Sequence, residues 1–207
     1  MKGLLLKDIY TLGKQMKLFL VLILVFAVMP GHSMSAFSIM YAAMLPMSTL
    51  AYDERAKWDT LASMMPYSTT DIVFSKYLLG YLAVGCATLF SFIVQITFSL
   101  LRQAPIESEG IISSLIVAVF ATLLQAIDLP MQFKLGAERG RILFIIITVA
   151  MTMAIVTFSD TLTNQLFAIL NQGSGLFLMV LLCIALTLVL NAASIFLSVK
   201  LYKSNFK

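Results

Sequence analysis

Charge is what this sequence has least of. Only 12% of its 207 residues are Asp, Glu, Lys or Arg, against about 25% in an ordinary soluble domain. With 60% apolar residues and a mean hydropathy of +0.97, that scarcity excludes a water-soluble fold. Histidine occurs once, as His32, and cysteine twice, as Cys86 and Cys183. One histidine and two separated thiols cannot supply the clustered donors of a zinc site. Both thiols lie in apolar runs, where they behave as small hydrophobes and not as a disulfide framework. Neither a nucleophile with an adjacent base nor a carboxylate pair stands out, so an enzyme is not expected. The run Gly80 to Gly85 has the G-x4-G spacing, but Cys86 and Ala87 stand where a phosphate-binding loop needs Lys and Ser or Thr. No ATP, metal or other cofactor site is therefore expected in this chain. Gly136 and Gly140 match G-x3-G, yet in a charged loop, where that motif's role in close helix packing within lipid does not arise. The net charge of +4 gives nucleic-acid binding no support, because in so apolar a chain the placement of basic residues carries the information.

What remains is a series of apolar runs near the ~20 residues that cross a ~30 Å hydrocarbon layer. They predict an all-α integral membrane protein, a single transmembrane domain over residues 1–207 with six spans at about 18–30, 34–51, 75–101, 111–129, 142–159 and 175–199. The basic start and first apolar run resemble a signal peptide, but spans continue to the C terminus, so the first run reads as a retained helix. Pro30-Gly31-His32-Ser33 is turn chemistry that makes spans one and two a tight hairpin. Ahead of them, residues 1–17 predict an amphipathic interfacial helix, with Leu5, Ile9, Leu12 and Met16 on one line and Lys7, Thr11 and Lys14 opposite. Pro130 is expected to end span four, leaving a basic loop to Arg141.

In a six-span layout, thirteen of the fourteen basic residues fall on one side of the membrane, and only Arg102 falls on the other. The positive-inside rule then places both termini, and the polar segment 52–74, in the cytoplasm. Polar residues inside spans are few: Gln95, Gln125, Asp128, Asn191 and Ser194. They read either as parts of a translocation path or as helix-packing hydrogen bonds. Asp128 lies near the cytoplasmic boundary, where Lys134 or Arg139 are available partners. No row of intramembrane charge suggests a proton- or ion-coupled pump.

The segment 52–74 has the reverse of its surroundings' composition. Asp53 to Met65 predicts a short amphipathic helix, with Trp58, Leu61 and Met65 on one line and Pro66 at its end. Ser68, three residues before Asp71, then caps the helix that becomes span three.

Tyr52-Asp53-Glu54, Lys57-Trp58-Asp59, the terminating Pro66 and Ser75-Lys76-Tyr77 resemble the small permease subunits of ABC-2 type ABC transporters. The loop KLGAERGR is similar to that family's second cytoplasmic loop, and the six-span layout covers the whole chain. The resemblance implies a bacterial plasma-membrane permease that pairs with a second copy or a sister permease and binds two ABC ATPase subunits, which would carry the ATP and Mg. It makes 52–74 a cytoplasmic coupling segment, with Tyr52, Asp53, Glu54, Lys57, Trp58, Asp59, Leu61 and Pro66 as candidate ATPase contacts. The cargo implied is hydrophobic or amphipathic, peptides included, and moved outward. The alternative is a membrane-embedded interaction protein, such as an immunity or sensor subunit, that transports nothing.

Overall fold

A computed structural model describes residues 2–15, 17–28, 32–102, 108–136, 139–150, 153 and 175–205. All the secondary structure among them is helical. The helices are α1 (Lys2–Gln15), α2 (Lys17–Val28), α3 (His32–Ala43), α4 (Leu45–Arg55), α5 (Trp58–Ser63), α6 (Thr69–Arg102), α7 (Ser108–Leu135), α8 (139–150) and α9 (Gly175–Asn205).

Three of these are long and apolar enough to cross a bilayer, over Thr69–Leu101, Gly110–Leu135 and Ile184–Lys203. Helices α2 and α3 have 12 residues each, about 18 Å at ~1.5 Å per residue, which is short of a ~30 Å hydrocarbon layer. They pack side by side: the Ser38 hydroxyl donates to the Ile23 carbonyl at 2.9 Å, and the Phe26 ring lies 5.6 Å from that of Tyr41. The remainder of the expected fifth span falls outside the described residues.

Four sequence expectations change. The helix expected over 34–51 breaks at Met44, because Pro46 has no N–H to give the carbonyl one turn back. The helix expected from Asp53 to Met65 is also two pieces: Asp53 to Arg55 finish α4, the chain turns at Lys57 (φ +51°), and α5 begins at Trp58. A lysine in the left-handed region is strained by roughly 1 kcal/mol or more, so the turn is imposed by its surroundings. Third, α7 does not stop at Pro130 but runs through it to Leu135 and closes on Gly136, whose φ of +83° suits glycine at a helix C terminus. The carbonyl that Pro130 leaves unbonded, that of Ala126, accepts the Ser194 hydroxyl of α9. A neighbouring helix thus supplies the bond that the proline removes. Fourth, the buried line of α1 is Leu4, Asp8 and Leu12, while Ile9 is 52% exposed. Burial of Asp8 sets the helix's rotation.

The cap of α6 follows the pattern read from the sequence. The Asp71 N–H donates to Ser68 Oγ at 3.1 Å, and that hydroxyl donates to the Asp71 carboxylate at 2.9 Å. One apolar cluster joins Leu12, Ile39, Leu45, Leu79 and Ala121 from five helices. A second gathers Leu4, Ala62, Val73, Leu129, Phe133 and Tyr202. The second cluster brings α1, α5, the start of α6 and the ends of α7 and α9 to one end of the bundle, together with the charged residues of the 52–74 segment.

Candidate functional site

At that end, two lysines and two aspartates far apart in sequence form one network. Lys76 Nζ lies 2.8 Å from Asp8 Oδ1, 2.6 Å from Asp53 Oδ2 and 3.4 Å from Thr49 Oγ1. Lys7 Nζ contacts both Asp53 oxygens, at 2.7 and 2.8 Å, and Asp8 Oδ1 at 3.1 Å. It also stands 4.2 Å from the centre of the Trp58 ring, a cation–π contact. The side chains of Lys76 and Asp8 are 2% and 1% exposed. Charges buried so deeply persist only when paired, and two of each sign give that balance. The network therefore ties α1, α4, α5 and α6 into one unit.

Asp8, Lys7 and Lys76 were not among the expected site residues. The available signal was that Asp8 is the only carboxylate before Asp53, and that Lys76 opens an otherwise apolar span.

The residues expected to contact an ATPase separate into two groups. Asp53 and Trp58 turn inward, to the lysines and to the second apolar cluster. Tyr52 is half-buried against the first cluster, and the Glu54 carboxylate lies against Gly136. Lys57, Leu61 and Pro66 face out; the Asp59 side chain lies outside the described residues. Leu61 at 49% exposure, Met64 at 78% and Met65 at 41% form an apolar patch on α5 and the turn after it.

The polar residues of the spans bond across or along helices. Gln95 Nε2 donates to Ser114 Oγ at 3.0 Å, and Gln125 Nε2 lies 3.4 Å from the Tyr77 carbonyl. Tyr77 hydroxyl meets Ser194 and Ser198 at 2.6 and 2.8 Å, and Tyr81 donates to Asn191 Oδ1 at 2.7 Å. Asp128 accepts from Gln132 Nε2 at 2.6 Å, a neighbour one turn on rather than Lys134 or Arg139. No group of His, Cys, Asp or Glu that could hold a metal occurs among the described residues.

Long apolar helices bonded through neutral side chains, with charge gathered and paired at one end, define an integral membrane protein. The chain belongs to the ABC-2 transporter family: the model of that family, described as ABC-2 family transporter protein, matches residues 3–203. Comparison with curated proteins and with solved structures gives no match. Membership supports a membrane transport permease, a class that is typically non-catalytic and that works with ABC ATPase partners.

Proposed function

We propose that this chain is the six-span membrane subunit of a bacterial exporter, docked through α5 and the turn at Pro66 onto one of two separate ATPase subunits that carry the ATP and Mg. The observation that carries the reading is the Leu61, Met64 and Met65 patch, exposed on a short helix and the turn after it, the helix itself anchored by Trp58 under Lys7. A short helix offering an apolar face, preceded by the exposed Lys57, suits insertion into a groove of the partner.

Movement of the ATPase would push on α5. Trp58, Lys7, Asp53 and Lys76 form a contiguous link from that helix to the start of α6, and rigid-body rocking of the bundle would open a path to alternate sides. A second copy or a sister permease completes the transporter. Both termini lie in the cytoplasm on the basic-residue count. The cargo is hydrophobic or amphipathic, peptides included, in keeping with spans that offer no charge ladder.

The test is replacement of Leu61 and Met64 by Asp, both outside the folded core. Co-purification with the ATPase subunit is lost while helical content and detergent elution are unchanged; stoichiometric association of the variant would overturn the docking assignment. Stimulation of the assembled complex's ATPase activity by peptides or amphiphiles identifies cargo, whereas stimulation only by small ions would exclude it.

A further inference from the structure

Two cavities share a wall at the break between α3 and α4. The first, of about 440 Å³, is lined by Tyr41, Met44, Ser48, Tyr52, Arg55 and Arg141. The second, of about 530 Å³, shares Tyr41 and Met44 and, apart from Thr148, is lined by apolar side chains, with Phe37, Met40, Phe120 and Phe144 in its wall. Their joint boundary is the chain around Met44, where Pro46 interrupts the helix. Each is within the size range of small-molecule sites, roughly 300–1,000 Å³.

The polar cavity holds two guanidiniums from separate helices, α4 and α8. Among the described residues neither pairs with a carboxylate: Asp8 and Asp53 are taken by the lysines, and the Glu54 side chain lies against Gly136. Two like charges facing one cavity repel, and a phosphate removes the repulsion while accepting forked hydrogen bonds from both. The groove between α7 and α9, lined by Ile127, Met131, Lys134, Ser194 and Leu197 among others, has a single cation and no comparable polar chamber.

We propose that these adjoining cavities hold a resident anionic phospholipid, with its phosphate on Arg55 and Arg141 and a hydrocarbon chain in the chamber between Phe37, Phe120 and Phe144. Charge complementarity selects the occupant. An apolar chamber alone would accept any chain, but two arginines at its mouth, unpaired among the described residues, favour an amphiphile with a negative head. Membership of α3, α4, α7 and α8 in the wall means that the lipid would brace the broken helix against the bundle. The site is separate from the α5 patch and does not depend on ATPase docking.

The test uses the purified full chain, incubated with mixed micelles containing phosphatidylglycerol or phosphatidylcholine of the same chains, with retained lipid counted by native mass spectrometry. One phosphatidylglycerol remains bound per chain and phosphatidylcholine does not. In the R55Q/R141Q variant the affinity falls about 30-fold, the effect of two cations at a membrane surface, while a K200Q/K203Q control is unaffected. Equal retention of the two lipids by the unaltered chain overturns the proposal without reference to any variant's folding. Undiminished phosphatidylglycerol binding by R55Q/R141Q overturns the site. Transfer of the bound lipid to the opposite leaflet upon ATP turnover by the assembled complex would make it cargo and overturn residence.

Discussion

Lys76 and Tyr77 are neighbours on α6, at 2% and 0% exposure, and they solve the cost of burial in different ways. Lys76 points toward α1 and α4 and is held by two carboxylates; Tyr77 points toward α9 and is held by two serine hydroxyls. A charge must be matched by opposite charge where water is scarce, and removing its partner exposes the full desolvation penalty. A neutral hydroxyl needs only a donor or acceptor, and its loss costs far less. One residue step along the helix thus separates an ionic lock, placed where the charged segments gather, from a hydrogen-bonded seam running into the span.

The largest test of that contrast is K76M. Asp8 and Asp53 are then left to share Lys7, and thermal unfolding in detergent should show a loss of about 3–5 kcal/mol. A loss under about 1 kcal/mol would mean that the network is solvated and not a lock. Next is G80A. A Cβ there would overlap the buried side-chain amide of Gln125, so α6 and α7 must separate or repack, at about 1–3 kcal/mol; shortening that side chain in G80A/Q125A should restore most of the loss. The smallest effect is expected for Y77F. It removes one hydroxyl from the seam, and interhelical hydrogen bonds within membranes average about 0.6 kcal/mol. If Y77F cost as much as K76M, the distinction between the two neighbours would fail.

Local signals in the sequence carried the local structure. Ser68 and Asp71 mark the start of α6 because a cap involves residues three apart, and apolar length marks α6, α7 and α9 because a helix satisfies its own backbone. The signal failed where a distant partner decided. Pro130 reads as a helix end until Ser194 supplies the missing bond to Ala126. The amphipathic line of α1 reads as Leu5, Ile9, Leu12 until Lys76 draws Asp8 inward. Asp53, Trp58 and Leu61 read as one contact surface until Lys7 draws Asp53 and Trp58 inward and leaves Leu61 exposed.

By itself, then, the sequence determined a membrane-spanning helical chain, since hydropathy and capping are properties of short stretches. Only the tertiary structure decided which charges cancel, which helix continues through its proline and which residues of the 52–74 segment stay exposed. Those outcomes depend on pairs as far apart as Asp8 and Lys76, or Ala126 and Ser194. Neither member of such a pair specifies the other until packing brings them within hydrogen-bonding distance.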